Sequence, residues 1–270
     1  ATAISAGERE SCYVIDGILY NEVIETELHS TDTHGYTELV FAVTFLLGID
    51  FAPRIAKFEE HQLFSMEGII IPDLDNYDFN VKEINTRNIE QQWDKILHII
   101  ATLKLRHTPA STLFKRLNSY SRQNPIYLAL RDLGRLVRSK FLLDYMYDHN
   151  LRQMVQNQLN KGEGANKLAK RIFYGNNGEI KYVSKQEHLQ ATACKTLIHN
   201  IIVCWNYMYL SKKFVETTPK NRKEFFEKIK RVSPVRWEHF NFYGIFDFSY
   251  EALEDALEFN TEDLFDFEME

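Results

Sequence analysis

Two acidic residues stand where a carboxylate could do more than solvate a surface. Asp32 lies in STDTHGYTE, residues 30–38, at the point where an alternating pattern stops and an apolar run begins. Before it, Ile24, Thr26, Leu28 and Ser30 alternate with Glu25, Glu27 and His29; after it, LVFAVTFLL runs up to Gly48. A period of two predicts a strand ending at Asp32, and the apolar run predicts a helix from about Thr33 to Leu47. A carboxylate at a strand exit is held by the sheet and open to the crevice beyond it, a setting for chemistry. An aspartate that caps the following helix gives the same pattern. The second acid is Glu163, in QLNKGEGANKLAKRIF. Taken alone it is a surface helix glutamate paired with Lys167 at i+4, a small stabilisation. Gly162 and Gly164 beside it are unusual, because each weakens a helix interior by about 1 kcal/mol relative to alanine. Two such residues point to close approach of backbone or ligand, and Lys161, Lys167, Lys170 and Arg171 surround the turn with positive charge.

Other chemistries lack their residues. There is no G-x-S-x-G, no Walker loop, no Cys-x-x-Cys pair and no H-E-x-x-H. The D-x-D-x-x-D of IIIPDLDNYDFN puts Tyr77 and Asp78 where an EF-hand needs an oxygen ligand and a glycine, which excludes that calcium loop. GNNG at 175–178 is turn chemistry. His34, two residues past Asp32, could touch a phosphate or make a hydrogen bond at a helix start.

The length of 270 residues allows one large domain or two small ones, with a sizeable core. No apolar stretch reaches a membrane span, since LIHNIIVCWNYMYL contains His199, Asn200 and Asn206. No basic-then-apolar signal sequence opens the chain. Cys12, Cys194 and Cys204 are odd in number and lack metal-site spacing, which suits a reducing cytoplasm. The net charge of −6 conceals an asymmetry. Residues 251–270 hold nine acids and no base, while residues 104–140 hold nine Lys or Arg against Asp132 alone. A second basic run extends from Lys212 to Arg236. Clustered bases point to a polyanion such as nucleic acid, or to a solvated helix face.

The elements that position the two acids follow from punctuation and period. Ser5 and Glu8 form a capping box for a helix through about Tyr20. The Asp32 strand, the apolar helix, and a short strand around Phe51, Pro53 and Ile55 then predict an α/β layer with a mixed sheet. From 86 to 160 the pattern is helical, broken at Thr108-Pro109 and Asn124-Pro125. A helix spans about Gln153 to Tyr174, and a Ser184–Glu187 capping box opens a long helix to about Phe214. Phe114, Tyr120 and Tyr127 lie among the bases and offer rings to stack on distorted DNA, but at helical spacing they read as core; Trp205, Tyr207, Tyr209 and Trp237 read as core or packing residues.

Several blocks carry a resemblance: YVIDGILYNEVIETELHSTDTHGYTELVFAVTFLLGIDFAPRI, QQWDKILHII, SYSRQNPIYLALRDLGRLVRSKFLLDYM, QLNKGEGANKLAKRIFYGNNGEI and SPVRWEHFNF. In this order, from about residue 4 to 248, the chain resembles the catalytic region of replicative transposases of the Tn-three family. The resemblance implies a partial RNase H-like fold with a DDE triad of two aspartates and a glutamate. The aspartate of T-D-T-x-G-[YF] falls on Asp32 and the glutamate of L-N-K-G-E on Glu163. It also implies two Mg2+ (or Mn2+) ions as cofactor, cleavage at transposon 3′ ends, and transfer of the freed 3′-hydroxyl into target DNA. The implied organisation is a core over 1–58, a large helical insertion over 59–150, the catalytic-glutamate helix and C-terminal helices over 151–250, and an acidic tail over 251–270.

Arg54, Lys115, Arg116, Arg122, Arg135, Lys161, Lys167 and Arg171 are the expected DNA contacts, holding phosphates with little regard to sequence. The partners implied are transposon ends and target DNA, with a homodimer in the full-length protein, in the bacterial cytoplasm. The family's first aspartate belongs several dozen residues before T-D-T, ahead of Ala1. Asp16 in VIDG matches a non-catalytic family position inside a predicted helix. The chain on its own is thus expected to hold metal weakly and to catalyse poorly or not at all. A non-enzymatic DNA-binding or dimerisation remnant is the alternative.

Overall fold

Pro125 stands at the first position of a helix, and Asn124 before it takes the free backbone N–H groups of Ile126 and Tyr127 on its side-chain oxygen. The same kind of local chemistry sets most boundaries in the computed structural model, which describes residues 10–21, 28–69, 81–119, 124–173, 184–229, 232–245, 247 and 249–251. The elements are α1 (Ser11–Leu19), β1 (Leu28–His29), α2 (Glu38–Leu47), β2 (Asp50–Phe51), β3 (Leu63–Met66), β4 (Val81–Ile84), α3 (Arg87–Lys104), α4 (Ala110–Ser119), α5 (Pro125–Tyr147), α6 (His149–Ile172), α7 (Lys185–Glu216) and α8 (Pro219–Ile229). The chain is mixed α/β and mostly helical. The Ser5–Glu8 box, the D-x-D-x-x-D and GNNG turns, Tyr120, Arg122 and the tail from 252 lie outside the described residues.

Chain contacts divide the protein into two compact units, one formed by residues 4–159 and the other by 1–3 with 160–270. In the first, β1 and β2 pair in parallel with α2 as the crossover between them. The strands β3 and β4 form a second parallel pair. A mixed sheet was the expectation; among the described residues both ladders are parallel. Short strands of four residues give too little alternation to read, which is why β3 and β4 escape the sequence pattern.

The α2 helix is buried all round from Leu39 to Thr44, as its unbroken apolar sequence requires. Its Phe41 ring is the centre of the core, 5.0 Å from Phe51 of β2, 5.7 Å from Phe141 of α5 and 5.8 Å from Tyr36. Thr44 hides its hydroxyl by donating it to the Val40 carbonyl at 2.8 Å. Gly48 ends the helix at φ 75°, a left-handed cap that only glycine adopts without strain. Helix α5 crosses α2 so closely at Gly134 that a Cβ there would lie 1.8 Å from the Glu38 carbonyl oxygen. Arg138 locks the crossing, pairing with Glu38 at 3.1 Å and donating to the Gln62 carbonyl at 3.3 Å. Ser139 accepts the Phe64 N–H at 2.8 Å, tying α5 to β3.

Asp16 has a structural role of its own. Its Oδ1 accepts the Ala110 N–H at 2.6 Å and its Oδ2 the Ser111 N–H at 3.1 Å, so it caps the first turn of α4 from α1. Asp16→Ala is expected to cost about 1–2 kcal/mol, the usual worth of a helix cap, read as a lower urea midpoint at unchanged slope.

In the second unit α7 begins with the full capping box: Ser184 Oγ accepts the Glu187 N–H, and the Glu187 carboxylate accepts the Ser184 N–H. Tyr207 and Tyr209, expected in the core, are 60% and 47% exposed. A helix this long meets its neighbours over only part of its circumference, so aromatic type alone does not fix burial. Phe114 is buried as expected.

Candidate active site

Asp32 follows directly on a strand. The pairing of β1 with β2 continues past the ladder, with Ala52 N–H donating to the His29 carbonyl at 2.9 Å and Arg54 N–H to the Thr31 carbonyl at 2.8 Å. The next residue is Asp32, at the carboxyl end of a parallel pair. Its Oδ1 accepts the backbone N–H groups of His34, at 2.9 Å, and Gly35, at 3.1 Å. Both bonds fall on one oxygen, which fixes the carboxylate while the residue as a whole is exposed.

Asp32 does not cap α2. The cap is Thr37, whose hydroxyl accepts the Val40 N–H at 3.4 Å, and the helix starts at Glu38 rather than about Thr33. Residues 32–37 are a turn, anchored by Tyr36 against Phe41. The intervening turn also places His34 away from the helix start, with its ring exposed and only its N–H committed to Asp32.

Gly35 completes the turn. It is buried, and a Cβ there would stand 2.6 Å from Thr31 Cβ, an atom with no freedom to swing away. Gly35→Ala therefore pushes the turn off Thr31. The expected cost is about 1–3 kcal/mol in stability. A displacement of about 1 Å at Asp32 is expected to slow any reaction there about 100-fold, measured by the cleavage assay given in the Discussion.

Glu163 lies in the other unit, exposed on α6. It lines a cavity of about 230 Å³ with Lys167, Val235, Arg236, Trp237 and Glu238. The SPVRWEHFNF segment is thus brought beside the L-N-K-G-E turn. Gly164 faces Val235, whose Cγ2 would be 3.5 Å from an added Cβ, an ordinary contact; nothing described approaches Gly162. Glu238 is held below the usual carboxylate range by its own backbone N–H first, then by that of Trp237, with Arg236 acting the same way. Sequence reading placed Trp237 among core or packing residues and Arg236 at the end of the second basic run, and gave Glu238 no role. The signal that linked them to Glu163 was membership of a resembling block, since 73 to 75 positions of chain separate them from it.

The expected DNA contacts divide by environment. Arg54, Lys115, Arg116, Lys161 and Lys167 are exposed. Lys115 donates to the Tyr13 hydroxyl at 2.9 Å, and Arg171 lies over the Tyr243 ring at 4.4 Å. Arg135 is partly buried, 3.1 Å from Asp132, which also pairs with Arg131 at 3.1 Å, and lies 5.0 Å from the Phe64 ring centre. The donors are hard carboxylate oxygens, which suit Mg2+ in kind. Among the described residues no group of three or more His, Cys, Asp or Glu is gathered as a metal cage, and no helix is long and apolar enough to cross a membrane.

The family described as the Tn3 transposase DDE domain matches residues 1–246. The chain belongs to this family. The transposase for transposon Tn1546 of Enterococcus faecium is 35% identical over 93% of the chain, and that for Tn501 of Pseudomonas aeruginosa 36% over 89%. The transposase for Tn2501 of Escherichia coli is 37% identical over 87%. The chain spans about a quarter of the length of these curated relatives. As a Tn3 transposase DDE domain it carries T-D-T-x-G-Y at residues 31–36 and L-N-K-G-E at 159–163, the stretches that form the Asp32 turn and one wall of the Glu163 cavity.

Proposed function

We propose that this DDE domain is the catalytic part of a larger transposase that cleaves DNA at transposon 3′ ends and joins the freed 3′-hydroxyl to target DNA, with Asp32 and Glu163 holding divalent cations. The observation that supports it best is the Asp32 turn. Its carboxylate is fixed by two backbone N–H groups at a strand exit, with one oxygen directed to neither of them. A ligand held before the cation arrives loses little freedom on binding it, which favours chemistry over mere capping. When bound, Mg2+ or Mn2+ would activate the attacking water or the DNA 3′-hydroxyl and would neutralise the leaving 3′-oxygen. Asp32 and Glu163 contribute hard anionic oxygens to that centre. Exposed Arg54, Lys115, Arg116, Lys161 and Lys167 hold phosphates, so DNA affinity falls steeply with salt. Transposon ends and target DNA are the partners on this reading, with a homodimer of the larger protein.

A non-enzymatic DNA-binding or dimerisation module is the second reading, favoured by the lack of a three-donor group among the described residues. Thermal melting separates the two. The enzymatic reading predicts a rise in Tm on adding Mg2+ or Mn2+ that Glu163→Ala removes. A melting curve indifferent to both cations supports the structural module.

A further inference from the structure

The segment 232–240 is fastened to α7 by one buried side chain. Asn206 is 7% exposed on a helix whose only other buried residue is Ile202. Its Nδ2 donates to the carbonyls of Pro234, at 2.7 Å, and Arg236, at 2.6 Å. Its Oδ1 lies 2.8 Å from His239 Nε2. Both donors and the acceptor of a buried amide are therefore used on a single stretch of irregular chain. An unpaired buried amide is costly, so this arrangement holds the stretch in one conformation.

What is held is the main chain of Arg236. Its side chain is 71% exposed and borders the Glu163 cavity. The nearest carboxylate oxygen, on Glu238, is 3.8 Å from its Nε, an ion-pair distance too long for a hydrogen bond. The guanidinium fork is thus fixed at its base and open at its tip. The cavity is lined by two acids, Glu163 and Glu238, and two bases, Lys167 and Arg236. A phosphodiester matches that mixture: bases take its non-bridging oxygens, and acids share a cation with it. Arginine presents paired N–H groups in the geometry of two phosphate oxygens, which lysine does not.

We propose that Arg236 contacts a DNA phosphate at the Glu163 cavity, and that Asn206, with His239, is the positioning residue that keeps it there. This deepens the proposed function by naming a substrate contact, and it rests on Glu163 being at the reacting site. The test is fluorescence anisotropy of the whole chain with a labelled DNA duplex, titrated with salt in EDTA and again in Mg2+.

In EDTA, Arg236→Gln is expected to weaken binding about fivefold and lower the salt slope by about 0.9, the value of one phosphate contact. Arg236→Lys restores the slope and part of the affinity. Asn206→Ala gives a loss like that of Arg236→Gln, and adding it to Arg236→Gln costs nothing further. His239→Ala, at an exposed position, removes one of the three Asn206 contacts and gives a smaller loss in the same direction, which keeps the test open if Asn206→Ala does not fold. A wild-type slope in Arg236→Gln overturns the contact, and a wild-type slope in both Asn206→Ala and His239→Ala overturns the positioning. The Mg2+ arm reads the underlying function separately. Glu163→Gln abolishes the gain in affinity that Mg2+ brings; if the gain survives, the metal role of Glu163 falls while the EDTA result for Arg236 stands.

Discussion

Asp32→Ala and Glu163→Ala are each expected to reduce strand cleavage at a transposon 3′ end by about 1000-fold or more. The measurement is Mg2+-dependent nicking of an end-containing duplex by a full-length transposase that carries this domain. Losing one ligand forfeits several kcal/mol of charge stabilisation where negative charge develops on the leaving oxygen, and each 1.36 kcal/mol is about tenfold in rate. End binding is expected to persist in both variants, because the proposed phosphate contacts are exposed bases rather than these acids. The double variant is expected to be no slower than either single one, as for residues that act as a unit. Cleavage at wild-type rate by either variant contradicts the assignment.

The second large effect is on stability. Gly134→Ala places a Cβ 1.8 Å from the Glu38 carbonyl oxygen, and that oxygen belongs to backbone at the start of α2. Neither helix can yield locally. Arg138 holds Glu38, Ser139 holds Phe64, and Phe41 of α2 is packed on Phe141 of α5. Relief requires the helices to separate, at an expected cost of about 3 kcal/mol, seen as a lower urea midpoint. Because the moved backbone is the start of α2, just after the Asp32 turn, activity is expected to fall with stability. Gly17 provides the contrast: a Cβ there meets nothing within 4 Å. Gly17→Ala is expected to be neutral or slightly stabilising in the same experiment.

Local chemistry was the legible part of this fold. Asn124-Pro125 marked the start of α5, the Ser184–Glu187 box that of α7, and the apolar run the buried α2. Each signal acts within one turn of the chain, so sequence spacing is enough to read it. The Asp32 turn was legible only in outline. A strand exit was clear, but Asp32 and Thr37 are both competent caps, and the six-residue turn between strand and helix depends on Tyr36 reaching Phe41.

What depends on distant chain was not legible. Arg135 looks like any surface base of its run, yet it packs partly buried against Asp132 and Phe64. Asn206 looks like an interruption of an apolar helix, yet it organises a segment 28 to 33 residues away. Glu163 gains its cavity from the 233–238 stretch, which no periodicity connects to it. Resemblance supplied the roles of Asp32 and Glu163, whereas the fixed carboxylate of the Asp32 turn supplies a physical reason for one of them.

Under the proposed function these two acids hold one divalent-cation centre. Iron(II) in place of Mg2+, with ascorbate and peroxide, cuts the polypeptide beside the residues that hold it. The account predicts backbone cuts flanking both Asp32 and Glu163, suppressed together by excess Mg2+ and both lost in Glu163→Gln. Cuts beside one acid alone, or cuts at Asp32 that persist in Glu163→Gln, contradict it.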